Sequence, residues 1–111
     1  MGVQEWNEDT LVVRLSDDPE LSDDMAEVDD RLGGVCCDVV LNLADLRLLT
    51  STGISKLLRL RKRQVETGRR LILCTPVDKV WGVFLATGLD AIFEFAETVS
   101  EALTRLQTGK A

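Results

Sequence analysis

The chain of 111 residues contains no histidine and no tyrosine. That removes the side chain most used for general acid-base catalysis near neutral pH, and with it Ser-His-Asp and Cys-His arrangements. No Gly-x-Ser-x-Gly elbow stands in for them, and neither a phosphate-cradling Gly-x-x-x-x-Gly-Lys loop nor a Gly-x-Gly-x-x-Gly fingerprint is present. Long apolar runs are also missing. The longest, such as Leu71-Ile72-Leu73-Cys74, fall far short of the roughly 18 residues a membrane span requires. The first residues, MGVQEWNEDT, lack the basic start and apolar stretch of a secretory signal, so cytoplasmic residence is expected. Trp6 stands where a myristoylation motif needs Ser or Thr. Cysteine is scarce and odd in number. Cys36, Cys37 and Cys74 sit in apolar contexts, which predicts buried reduced thiols rather than a disulfide framework. Vicinal Cys36-Cys37 has no CxxC spacing around it, so a redox or metal role is the weaker reading and none is assigned. No calcium loop fits the acidic stretch Asp17–Asp30, because the glycine and ligand spacing are absent. No metal and no cofactor are expected.

What is present is a globular composition, 45% hydrophobic and 29% charged, of the size of one small domain. The net charge of −6 hides a strong asymmetry. Residues 1–45 carry thirteen acids and two bases, residues 46–70 eight bases and one acid, and the remainder three bases and five acids. One basic segment on an acidic molecule of pI near 4.6 suits a complementary protein surface better than nucleic acid, whose phosphates the rest of the molecule would repel. Lys56, Arg59, Lys62 and Arg63 are the candidates for that contact.

Hydrophobic patterning alternates strands with helices. Thr10–Leu15 is rich in β-branched residues, and Asp38–Leu43 and Arg70–Thr75 are near-continuous apolar runs of the kind buried on both faces of a sheet. Ala91–Phe95 reads as a shorter strand, and Val3–Trp6 as an edge strand before a turn at Asn7–Asp9. Between them, Leu21, Met25, Val28 and Leu32 mark one face of a helix that stops at Gly33-Gly34. A second helix, residues 52–67, places Ile54, Leu57, Leu58 and Val65 on an apolar stripe and ends at Gly68. A third has Thr75 as its expected cap and Pro76 at its first position, with a stripe of Val77, Val80, Trp81, Phe84 and Leu85 closed by Gly88. The fourth opens with Thr98 and Glu101 at capping-box spacing, buries Val99, Ala102, Leu103 and Leu106, and leaves a frayed Thr-Gly-Lys-Ala tail. Alternation of this kind predicts parallel crossovers in a layered α/β domain.

Thr50, Ser51, Thr52 and Gly53 fall between the 38–43 strand and the second helix. One hydroxyl suffices to cap a helix. Three in a row also make a candidate phosphorylation site, because a helix N-terminus accommodates the added negative charge.

These residues carry a resemblance. The run VVLNLADLRLLTSTGISKLLRLRKR is similar to the signature of STAS domains of the anti-anti-sigma factor (anti-sigma factor antagonist) family: a hydrophobic strand, an Asp-containing turn, then Asp-Ser-Ser-Gly-Leu opening a helix. The later GRRLILCTPVDKVWGVFLATGLDAIFEFAETVSEAL also resembles the family, and the likeness covers about residues 10–107. It implies an α/β fold made of a single STAS-like domain over residues 1–111, with a mixed, mostly parallel sheet of four to five strands flanked by about four helices. It implies a non-catalytic module that binds an anti-sigma factor with serine/threonine kinase activity, is switched off by phosphorylation, and is reset by a protein phosphatase. Thr52 matches the phosphoacceptor position and Ser51 the hydroxyl before it. Partner contacts would come from Thr50, Ser51, Thr52 and Gly53 and the exposed face of helix 52–67, where Lys56 and Arg59 are candidates on charge alone. Thr50 replaces the motif's leading Asp. Asp17-Asp18-Pro19-Glu20 stands where the family has Gly-x-x-Asp, and Asp17, Asp18 and Glu20 would serve beside the acceptor. The alternative within the fold is a scaffold or subunit of another assembly, such as a lipid-transporter partner or a stress-sensing complex, that binds without phosphorylation. A receiver-like or redox enzyme is the reading from another class. It would need an Asp at the end of the 38–43 strand or a second redox cysteine near Cys36-Cys37.

Overall fold

The computed structural model describes residues 2–33 and 36–108. Gly34, half of the expected stop signal of the first helix, and Gly109-Lys110-Ala111 of the expected tail lie outside the described residues. Elements follow the order β1 (Val3–Asn7), β2 (Thr10–Ser16), α1 (Glu20–Leu32), β3 (Asp38–Asp45), α2 (Ser51–Thr67), β4 (Leu71–Cys74), α3 (Asp78–Thr87), a 3-10 turn (Leu89–Ala91), β5 (Glu94–Ala96) and α4 (Val99–Thr108). The five strands lie side by side in sequence order. β1 pairs antiparallel with β2, and every other pairing is parallel. The carboxyl ends of β2 to β5 therefore share one edge of the sheet.

Side-chain alternation explains the apolar runs. Leu11, Val13 and Leu15 of β2, Val39, Leu41 and Leu43 of β3, and Leu71 and Leu73 of β4 join a core with α1, α2 and α3. The intervening Val40, Ile72 and Cys74 face the other way and pack with Ala102 and Leu106 of α4. Burial on both faces is why β3 and β4 read as continuous hydrophobic segments. On α1 the expected Leu21, Met25, Val28 and Leu32 are all buried.

Four expectations need correction. On α2 the buried set is Gly53, Leu57, Leu60 and Gln64, whereas Leu58 and Val65 are 37% and 63% exposed. The polar Gln64 takes a core position because its amide donates to the carbonyls of Cys37 at 2.7 Å and Arg70 at 2.9 Å, closing the amino end of β3 and β4. Second, Thr75 does not cap α3. Its backbone is left-handed, φ 53°, and its hydroxyl bonds Asn42 Oδ1 at 2.7 Å. The helix starts three residues later behind an extended Val77, and Leu85 on its outer side is 52% exposed. Third, the fourth parallel strand is not Ala91–Phe95. The left-handed Gly88 starts a 3-10 turn that takes in Ala91, and pairing with β4 begins only at Glu94. Phe93 is apolar because it packs edge-on against Phe84, with centroids 6.0 Å apart. Fourth, β3 runs two residues beyond Leu43 and ends on Asp45, which pairs with Arg14 at 3.5 Å.

Candidate functional site

Four loops meet the carboxyl edge of the sheet: residues 17–19 after β2, 46–50 after β3, 75–77 after β4 and 97–98 after β5. The second of these leads into the hydroxyl cluster at the head of α2. Thr50 is the N-cap, extended at φ −91° and ψ 166°, and its Oγ1 accepts from the Gly53 N–H at 3.1 Å. Thr and Asp both serve as N-caps, so the departure from the motif's Asp preserves the capping bond while removing its charge. Gly53 is buried at the α1–α2 contact. A Cβ there would stand 3.4 Å from Leu49 Cδ1 and 3.9 Å from Leu21 Cδ1.

The cap leaves Ser51 and Thr52 as the first two helical residues, both exposed. A helix beginning at residue 52 would put the cap on Ser51, but α2 begins one residue earlier. Thr50 takes that role, and two hydroxyls face solvent. The first turn of α2 carries no acidic residue, whereas α1 has Glu20 and Asp23, α3 has Asp78 and α4 has Glu101. The positive end of the α2 dipole is thus left without a carboxylate on its own first turn.

The acidic residues ahead of α1 are used unequally. Asp17 Oδ1 accepts from the Arg47 and Leu48 amides at 2.9 and 3.1 Å, so it braces the loop that leads to the hydroxyls. Asp18 turns the other way and accepts from the amide and hydroxyl of Ser22, at 3.0 and 2.7 Å, fastening the start of α1. Glu20 is exposed in the first turn of α1. Lys56 and Arg59, one and two turns beyond Thr52, line a hollow of about 80 Å³ with Ser22 and Asp29 of α1. Leu48 adds an exposed apolar side chain, 54% accessible, beside the cap.

The basic segment does not form one patch. Lys62 is exposed, but Arg63 donates to the carbonyl of Leu32 at the end of α1 and Arg61 to that of Ile92. Arg69 Nε lies 3.3 Å from Asp38 Oδ1, and Arg70 pairs with Glu94. Arg63 is therefore a structural cation rather than a free contact residue.

The cysteines divide as well. Cys36 is exposed, against expectation, and Cys37 and Cys74 are buried free thiols. Burial pushes the Cys74 thiol up to about 11, against a smaller downward pull from its bond with Thr75, so it is protonated near neutral pH. Burial likewise raises Cys37. Among the described residues no group of three or more Cys, Asp or Glu is placed to hold a metal, and no helix is long and apolar enough to cross a membrane.

A mostly parallel five-stranded sheet with three helices on one face and one on the other, and a hydroxyl-bearing loop at its carboxyl edge, defines a small layered α/β domain. The sequence model of the STAS domain matches residues 4–102, and the chain belongs to the STAS domain family. No curated protein matches the chain. Among solved structures, it is similar to a Thermotoga maritima protein proposed to be an anti-sigma factor antagonist, at 20% identity and a TM-score of 0.84, covering 95% of this chain and 92% of that one. It is also similar to the anti-sigma factor antagonist SpoIIAA in its unphosphorylated form, at 23% identity and a TM-score of 0.82, covering 96% and 95%. A serine-to-glutamate variant of RsbS from Moorella thermoacetica matches at 16% identity and a TM-score of 0.80 over the full length of both chains. At these identities the likeness is one of fold.

Proposed function

We propose that this STAS domain is an anti-sigma factor antagonist: a non-catalytic module that binds an anti-sigma factor with serine/threonine kinase activity and is released when Thr52 is phosphorylated. Ser51 is the second acceptor. The observation that carries this reading is the partition of the hydroxyls at the head of α2. Thr50 is occupied by the Gly53 amide, while Ser51 and Thr52 stand exposed on a first turn that has no acid of its own. A phosphate there gains from the helix dipole and adds about −1.5 to −2 charge, so the fold tolerates it while the local surface potential changes sign. Docking uses the loop at residues 48–53 together with Lys56 and Arg59 on one flank and Asp17, Asp18 and Glu20 on the other. Asp17 and Asp18 contribute by holding backbone in place as much as by direct contact. Two fold neighbours, one an unphosphorylated antagonist and one a serine-to-glutamate variant, fit regulation of this type. The loop's position at the carboxyl ends of parallel strands, where α/β sheets commonly bind, fits it too.

The test is incubation with ATP and a kinase-type anti-sigma factor, followed by mass-spectrometric mapping and a binding assay. Phosphate on Thr52 or Ser51 with loss of the complex supports the proposal. A complex that forms and persists whatever the state of Thr52 supports the scaffold alternative.

A further inference from the structure

A hollow at the carboxyl edge of the sheet lies away from the α2 loop, between the starts of α3 and α4. It holds about 430 Å³, enough for a long side chain and its neighbours. Trp81 and Phe95, partly buried and edge-on to each other at 4.9 Å, supply its aromatic wall, and Pro76 adds apolar surface. Three carboxylates, Asp78, Glu97 and Glu101, line it against one cation, Arg105.

That cation is already engaged. Arg105 pairs with Glu101 at 3.1 Å, lies 3.6 Å from Glu94, and donates to the Phe95 carbonyl at 2.8 Å. Glu101 is engaged as well, accepting from the Glu97 amide at 2.7 Å. The side chains of Asp78 and Glu97 have no hydrogen bond or ion pair among the described residues. The hollow thus combines an aromatic face with two uncompensated carboxylates, the pairing that recognises a guanidinium through stacking and charge-assisted hydrogen bonds. The positive ends of α3 and α4 work in the opposite direction, but at roughly half a unit charge each they do not cancel the side-chain charge of the groove. The side-chain charge of the rim is −2, which decides the sign of the ligand.

We propose that this groove is a docking site for an arginine-bearing segment of a partner protein, with the guanidinium against Trp81 and between Asp78 and Glu97. It is a second contact on the same edge of the sheet as the α2 loop and does not depend on phosphorylation. Asn42 Oδ1, which accepts from the Ala44 amide and the Thr75 hydroxyl, ties the groove's wall to the end of β3 and keeps the two surfaces in fixed register.

The experiment titrates a capped five-residue peptide with a central arginine into the full chain and follows backbone amide shifts by NMR. A citrulline peptide and inorganic phosphate serve as comparison probes. The expected result is saturable shifts confined to residues 75–81 and 95–101, at least tenfold weaker binding of the citrulline peptide, and several-fold weakening by Glu97→Gln. Glu97 is exposed, so its substitution leaves the fold intact, and a Thr52→Glu variant should bind the peptide as the unmodified chain does. Equal binding of arginine and citrulline peptides, or shifts of the same residues by phosphate and not by the arginine peptide, would overturn the proposal.

Discussion

The two ends of the parallel sheet are built to opposite purposes. At the amino end, polar groups are buried and spent on one another. Gln64 bridges two backbone carbonyls, and Asp38, only 5% exposed, accepts from the Arg70 amide at 2.9 Å while facing Arg69. Arg70 crosses to Glu94 on β5 and to the carbonyl of Arg105 on α4. At the carboxyl end, polar side chains stand without side-chain partners among the described residues: exposed Ser51, Thr52 and Arg59 with half-buried Lys56 around one loop, exposed Asp78 and Glu97 around another. Burying a polar group is costly unless every bond is made, so a network of this kind is worth building only where nothing has to bind. α2 spans both ends, and its sequence changes character along its length for that reason.

Substitutions should separate the ends. The largest effect is expected from Gln64→Ala, which strips two carbonyls of their donor and leaves a void, for a loss of about 2–4 kcal/mol in chemical denaturation. Thr52→Ala at the other end should stay within about 0.5 kcal/mol of the starting protein. Next is the cap. Thr50→Ala should cost about 1 kcal/mol, whereas Thr50→Asp should cost almost nothing because a carboxylate caps equally well. If Thr50→Asp proves as damaging as Thr50→Ala, the bond to the Gly53 amide is not what holds the loop.

Two smaller effects sharpen the same contrast. A thiol-reactive reagent at neutral pH should modify Cys36 quickly and leave Cys37 and Cys74 protected until the chain is unfolded, since only Cys36 is exposed. At the carboxyl edge, the Glu101 carboxyl is held below its ordinary range, first by the Glu97 amide and then by Arg105. Its contribution to stability is present above the unfolded-state pKa and disappears as pH falls through the lowered folded-state value. Glu101→Gln should therefore flatten the acid limb of a stability-against-pH curve by lowering the neutral plateau slightly, while stability at the acid end stays nearly unchanged.

Much of the fold is legible in the chain, and the departures from it share a cause. The face of α1, the strands β2 to β4 and the capping box of α4, in which Glu101 takes the Thr98 hydroxyl as acceptor, follow from local periodicity and local hydrogen bonds. Gln64 carries no hydrophobic signal although it holds a core position, and without it the stripe through Leu57 and Leu60 reads as one through Leu58 and Val65. Thr75 looked like a cap because Thr-Pro usually marks one, yet its hydroxyl serves Asn42 from the neighbouring strand, a partner 33 residues away. At the site, the hydroxyl cluster was visible as composition. Which of the three was occupied depended on where the helix begins, and a shift of one residue moved the cap to Thr50. The groove beside Trp81 had no sequence signature, because it is assembled from α3, β5 and α4.

Under the proposed function, the head of α2 changes binding without changing folding. The most direct measurement compares Thr52→Glu with the unmodified protein in two assays on the same samples: thermal unfolding, and association with a kinase-type anti-sigma factor. An acid in the otherwise acid-free first turn should leave stability equal or raise it by about 0.3–1 kcal/mol while association is lost. Association that survives the substitution unchanged, or that falls only in step with a loss of stability, would contradict the account.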